Sequence, residues 1–396
     1  MIHKMKDYDF TLMITPILLA AFGIVMIYSS SMVIAVVEGL GSTYYLFKQL
    51  QWFIIGLIGF AFCCVFPYRH YQRMIKMIVL FSIILLIGVL LYGEEANNAT
   101  RSLILFGSIS IQPSEFIKLG LILYLASVYS KKQEYITEFS KAVLPPLVLT
   151  GFILGLILLQ PDIGTAATIF LFACAIIFSS GIHFKHLFIL IGISVTLFVI
   201  TIPNMITDVR VARFTGAYEP FATPETGGYH LIQSYLAIGV GGLTGEGLGQ
   251  SVQKLGYLWG AHTDFIMSVI AEELGLVGVI IVIGMLMIIV LRGFYIAREC
   301  EDSFGSLIAI GISSMIGIQA IINLGAISGV LPITGIPLPF LSYGGSSLLV
   351  LMISMGILNN IAMSVKKRKQ QPVREETTHR TQNREFKNVG GRSWSS

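Results

Sequence analysis

Asp264 stands where a polar, glycine-rich stretch, GVGGLTGEGLGQSVQKLGYLWGAHTD from Gly239, gives way to a long apolar run. A carboxylate at the mouth of a membrane helix can take a proton from a substrate hydroxyl or help to hold a cation. The plainer reading makes His262-Thr263-Asp264 a cap region whose acid is stabilised by the helix dipole. Ser268 and Ala271 share the helix face of Asp264, and Glu272 lies two turns on, so a polar stripe is expected to run inward from this mouth. A second pair, Glu115 and Lys118 in IQPSEFIKLG, lies three residues apart on one helix face. It is either an ion pair holding helices together or the cationic wall of a cavity for an anionic substrate, since a lone charge in hydrocarbon is costly. Arg210 and Arg213 in DVRVARF read as an interfacial anchor or as a phosphate clamp. The stretch Gly335–Ser347, GIPLPFLSYGGSS, is too rich in proline and glycine for a plain hairpin. It is expected to line a cavity wall, with backbone N–H groups at the start of the last helix, and with Ser342 and Ser346, available to a phosphate.

The elements that must carry these residues are membrane helices. Hydrophobic residues make up 55% of the 396 and charged residues only 12%, against about a quarter charged in soluble domains. Apolar runs of spanning length lie at 11–33, 50–66, 74–92, 114–130, 144–160, 166–182, 185–203, 265–291, 304–328 and 346–365. The expected fold is therefore an all-α polytopic membrane protein of ten transmembrane helices. Lysine and arginine set the orientation. Fifteen basic residues, ending with Lys366, Lys367, Arg368 and Lys369, fall in one set of alternating connectors, while Lys48, Arg101, Arg210, Arg213 and Lys254 fall in the other. Both termini are then cytoplasmic, and the large loop 204–263 between the seventh and eighth helices is extracellular. Short amphipathic helices are expected in that loop, with Phe214, Tyr218, Phe221 and Tyr229 on the lipid surface. The first run keeps its place as a span and is not a cleaved leader. The polar tail 366–396 is expected to be disordered. Cys63, Cys64, Cys174 and Cys300 show neither metal-ligand spacing nor a disulfide framework.

Five stretches in order, GIVMIYSSS at 23–31, SIQPSEFIK at 110–118, QPDIGTA at 160–166, AHTDFI at 261–266 and PLPFLSYGGSSL at 337–348, resemble the shape, elongation, division and sporulation (SEDS) family. The likeness covers the chain to about residue 365, and GEGLGQSVQKLGYL at 245–258 is closer to the division-type branch. Trp259-Gly260 stands where the family usually has Pro-Glu, and Leu103 replaces an expected tryptophan near Arg101.

The resemblance implies a peptidoglycan glycosyltransferase that polymerises lipid II at the outer face of the bacterial plasma membrane, at the division septum. It implies Asp264 as the catalytic residue, as general base or metal ligand, with Glu115 and Lys118 lining the cavity. Arg101, Arg210, Arg213, His262, Ser342 and Ser346 are further candidate substrate-binding residues. A divalent cation, Mg or Mn, is compatible with the site. The implied partners are lipid II, a class B penicillin-binding protein and other divisome proteins, with membrane lipid around them and no nucleic acid. The alternatives are a lipid II flippase using the same cavity and a scaffold that recruits the synthase without catalysis.

Overall fold

The computed structural model describes residues 8–96, 99–105, 109–131, 143–181, Phe188, Gly192, Thr196 and 208–389. Their helices are α1 (Phe10–Val37), α2 (Tyr44–Val65), α3 (Arg69–Tyr92), α4 (Pro113–Lys131), α5 (Leu144–Leu159), α6 (Ile163–Ser179), α7 (Asp208–Tyr218), α8 (Tyr229–Gly241), α9 (Ile266–Glu299), α10 (Ser303–Ile327) and α11 (Gly345–Val389). Six of them, α1, α2, α3, α9, α10 and α11 through Gln370, are long and apolar enough to cross a membrane, and α5 and α6 are shorter apolar helices. The molecule is a multi-pass membrane protein. The run expected at 185–203 lies outside the described residues.

The fold is all-α, as expected, with one small antiparallel sheet of β1 (Glu94–Ala96), β2 (Ala99–Leu105) and β3 (Ile109–Ile111) between α3 and α4. The segment 93–112 is long enough for a span, but Glu94, Glu95, Asn97, Asn98 and Arg101 make it too polar for hydrocarbon, and strand pairing gives its described residues backbone partners.

One end of the bundle is tied by Asp9. Its carboxylate accepts from Thr11 N and Leu12 N to cap α1 and from Arg292 Nε at 2.8 Å, and its N–H donates to Asn359. At the same end Asn360 accepts from Tyr68 N and donates to the Cys64 carbonyl. Tight packing between α2 and α11 rests on glycine: a Cβ at Gly356 would stand 2.6 Å from the Phe60 carbonyl oxygen.

The apolar run at 265–291, expected as one plain span, is broken. Gly275 has φ +62° and ψ −162°, so the segment before it is a separate short helical piece. The break frees four backbone groups, and the Gly242–Gly247 loop takes all four. The carbonyls of Glu272 and Glu273 accept from Glu246 N and Gly247 N, while Leu276 N and Val277 N donate to Gly242 and Leu243. Thus α8 and its following loop are packed against α9.

The same exchange corrects the polar stripe. Ser268 hydrogen-bonds Ser234 of α8 at 2.8 Å. Glu272 accepts from Ser251 Oγ at 2.5 Å and Val252 N at 2.8 Å. Glu273 accepts from Lys254 Nζ at 2.7 Å and from Ser29 Oγ. The acids fasten the returning loop, because buried charge is tolerated when paired and hydrogen-bonded. Ser29 lies twenty residues along the chain from Asp9, about 30 Å of helix, which is about the thickness of a hydrocarbon core. The ion pair is therefore buried about 30 Å along the bundle from Asp9, toward its opposite end.

Residues 366–389, expected to be disordered, continue α11 as helix. An established helix extends without paying the nucleation cost that keeps an isolated polar segment open. In the 204–263 region α7 forms as expected, with Phe214 and Tyr218 exposed; Phe221 is exposed in a 3-10 turn whose Pro220 is buried, and Tyr229, at the start of α8, is half-buried.

Gly241 and Gly239 give a matched test of the α8–α9 contact. A Cβ at Gly241 would fall 1.9 Å from the Ala271 carbonyl oxygen, whereas one at Gly239 meets nothing within 4 Å. Gly241→Ala is expected to cost about 1–3 kcal/mol in thermal unfolding of the detergent-solubilised protein. Gly239→Ala should be neutral or stabilising by up to about 1 kcal/mol. Equal melting of the two variants would contradict the packed re-entry.

Candidate active site

A cavity of about 480 Å³ opens where α2, α4, α6, α10 and the 335–347 loop meet. Its wall includes Asp264, Glu115, Lys118, Asp162, Thr165, Thr168, Gln319, Lys48, Trp52 and Ser346. Asp264 precedes Phe265, the N-cap of α9, so it stands one residue too early to be that cap. Its carboxylate accepts from the Thr263 hydroxyl at 2.8 Å. Gly260, with φ +75°, makes the turn below: its carbonyl accepts from Thr263 N and Phe265 N. A Cβ there would approach the Asp264 carboxylate oxygen to 2.6 Å, so the glycine leaves room for the acid.

Asn323 fixes this turn to the far wall. Its Nδ2 donates at 2.8 Å both to the Asp264 carbonyl and to the Ile336 carbonyl. The wall loop is closed by Leu338 N donating to Ser342 Oγ, and Tyr343 N donates to the His262 carbonyl. Ser342 therefore braces the loop and is absent from the cavity lining, while Ser346 lines it and accepts from Gln112 N. The expected wall-lining role of the proline- and glycine-rich segment is met by Gly335, Ile336, Pro337 and Tyr343–Ser347. His262 is not on the lining either. Its ring packs between Tyr45 and Tyr343, and burial pushes its pKa down from 6.5 to about 4, so it is neutral near pH 7.

Glu115 and Lys118 form a buried pair at 2.7 Å and both line the cavity. Asp162 caps α6, accepting from Thr165 N and Thr165 Oγ1, and borders the same space. The side chains of Arg101, Arg210 and Arg213 lie outside the described residues.

Three cavity-wall or bracing residues escape a search for charges in apolar runs. Lys48 reads from sequence only as a connector charge, yet Tyr44, Lys48, Gln51, Trp52 and Ile55 share one face of α2 at helical spacing and line the cavity. Gly345 gives Trp52 its place, since a Cβ there would stand 2.1 Å from the indole nitrogen. Gln319 and Asn323 are uncharged amides one turn apart on α10, a signal visible only as the two amides of a mainly apolar helix.

Among the described residues no three His, Cys, Asp or Glu side chains converge as a metal cage. A divalent cation at Asp264 would need its other ligands from substrate and water, the usual habit of Mg.

Comparisons with known proteins give the family and the fold. The Cell cycle protein family model of FtsW, RodA and SpoVE matches residues 10–367. The chain is 49% identical over 388 residues to a Bacillus subtilis (strain 168) protein named probable peptidoglycan glycosyltransferase FtsW, covering 94% of this chain and 96% of that one. It is 38% identical to stage V sporulation protein E of the same organism, covering 91% and 99%. Among solved structures, a chain of a peptidoglycan synthase complex that coordinates polymerization and crosslinking superposes with TM-score 0.73 at 28% identity, covering 90% and 98%. The rod shape determining protein RodA of Thermus thermophilus does so with TM-score 0.65 at 28% identity, covering 90% and 96%. The chain belongs to the cell cycle protein family of FtsW, RodA and SpoVE, the SEDS family.

Proposed function

We propose that this chain is a peptidoglycan glycosyltransferase that polymerises lipid II at the outer face of the bacterial plasma membrane, for septal wall synthesis in division. The observation that carries the reading is Asp264 in the wall of a polar cavity that also holds the buried Glu115–Lys118 pair and Lys48. In the proposed topology ten helices span the bilayer, both termini are cytoplasmic, and the cavity opens outward. The partner is a class B penicillin-binding protein, by analogy with the synthase complex.

The reaction joins the 4-hydroxyl of one lipid-linked disaccharide to the anomeric carbon of another. Asp264 accepts the hydroxyl proton as the new C–O bond forms, and the bond from the anomeric carbon to the pyrophosphate oxygen breaks with its electron pair leaving on the polyprenyl pyrophosphate. Direct attack inverts the anomeric centre. Negative charge grows on the leaving group, and Lys48 and Lys118 are the described cations in the wall suited to offset it. The N-terminal amides of α11 beside Ser346 and Ser347 add a positive dipole end to the same wall.

The packing beyond Lys118 favours a transferase over a flippase. A Cβ at Gly311 of α10 would stand 2.5 Å from Ile122 and 2.9 Å from Ile176, so α4, α6 and α10 meet closely below the cavity. Ile122, Phe172, Ile176 and Ile312 are fully buried there. Translocation of a headgroup would have to part these helices.

Full-length protein reconstituted with its transpeptidase partner in vesicles and given purified lipid II is expected to form glycan polymer without accelerating lipid II translocation. Translocation without polymer would establish the flippase instead. Lys48→Ala and Lys118→Ala should each lower kcat/KM for lipid II by about tenfold or more, in keeping with a lost charge-assisted contact. Unchanged kinetics in both variants would remove the cations from the site.

A further inference from the structure

Gln319 is a polar side chain that the fold leaves without a use. It is 2% exposed and lines the same cavity as Asp264 and Lys118. Its carbonyl oxygen, Oε1, has no hydrogen-bond partner. An unmade bond to a buried acceptor is costly, and buried amides in native proteins are generally satisfied by protein, water or ligand. Asn323, one turn along α10, shows the contrast: its Nδ2 braces Asp264 and the wall loop with two 2.8 Å bonds.

The surroundings narrow what Gln319 could receive. Gln319 shares the cavity wall with two hydroxyls already committed as donors: Thr165 Oγ1 donates to Asp162 at 2.8 Å and Thr168 Oγ1 to the Gly164 carbonyl at 3.0 Å. With Oε1, these groups offer acceptors, which match a neutral ligand group with an N–H or O–H to give. A carboxamide flips about its last torsion at little cost and presents either its acceptor or its donor. The group that answers both is another amide, N–H to Oε1 and carbonyl to Nε2.

We infer that Gln319 is a substrate-binding residue that pairs with the 2-acetamido group of the sugar held against Asp264. The inference rests on the glycosyltransferase reading above and adds a specificity element to it. Sugar recognition is thus divided in the wall: charge is met by Lys48 and Lys118, and the acetamido group by Gln319.

The test uses the full chain with its transpeptidase partner and two substrates, lipid II and a lipid II analogue whose 2-acetamido group on the sugar bearing the attacking 4-hydroxyl is replaced by 2-O-acetyl. The ester keeps the shape and loses only the N–H. Wild type should prefer the natural amide by about tenfold or more in kcat/KM, a discrimination typical of an unpaired buried polar group. Gln319→Leu should melt no lower than wild type, since it removes the unpaired acceptor, yet should lose most turnover and use the two substrates equally. A variant with wild-type kinetics, or one that keeps the full preference for the amide, overturns the inference and leaves the polymerase reading intact. No polymer from wild type and natural lipid II would instead defeat the polymerase reading. Gln319→Met is the second variant if Gln319→Leu does not insert. Failure of both to fold would assign the residue to the helix bundle and also overturn the inference.

Discussion

The break at Gly275 governs how the site is built. A helix interrupted among apolar neighbours must find partners for the backbone groups it frees, because each unsatisfied one costs several kcal/mol in hydrocarbon. Here the Gly242–Gly247 loop supplies them in a reciprocal exchange, two N–H groups given and two carbonyls offered. Only glycine permits the approach: a Cβ at Gly245 would fall 2.2 Å from the Glu273 carbonyl oxygen. Once that loop is held, the chain must return to the mouth of α9, and the Lys254–Glu273 and Ser251–Glu272 bonds hold its path. Asp264 is thus the end of a fastened segment and not the tip of a free loop.

The cavity then depends on a division of labour between amides, carboxylates and glycines. Asn323 joins the Asp264 turn to the wall loop, and Ser342 closes that loop on itself. Gly23 lets the loop lie against α1, where a Cβ would stand 2.8 Å from the Phe340 carbonyl oxygen. Phe340 itself holds φ +67° while buried, an unfavourable backbone state for a residue with a side chain, and its surroundings over-determine it. A rigid rim of this kind suits chemistry that needs two bulky lipid-linked sugars aligned, since positioning contributes only when the wall does not yield.

Much of this was legible in the residues. Hydropathy located the long helices, and spacing found the Glu115–Lys118 pair because both members are charged in an apolar run. Asp264 stood out for the same reason. What hydropathy could not see was the break: EELGLVG reads as uninterrupted apolar helix after its acids, and Gly275 declares itself only through its dihedrals. The glycine-rich 239–249 stretch was the trace of its partner loop. Amides carry no charge, so Gln319 and Asn323 escape a search for charges, while His262 is a candidate through its place beside Asp264 and Ser342 through its place in the proline- and glycine-rich stretch. Their side chains turn to packing and bracing instead, a distinction set by three-dimensional contacts.

The central claim is that Asp264 performs chemistry and is not needed to hold the cavity. Its bracing bond to Asn323 uses the backbone carbonyl, which an Asp264→Asn substitution keeps, and asparagine keeps the side-chain shape. The most direct measurement takes lipid II affinity and polymer formation together on the purified Asp264→Asn protein with its partner. The account predicts lipid II binding within about threefold of wild type and polymer synthesis lowered by at least about a hundredfold, as for loss of a general base. Near-normal polymer synthesis, or a loss explained wholly by lost binding, would contradict it.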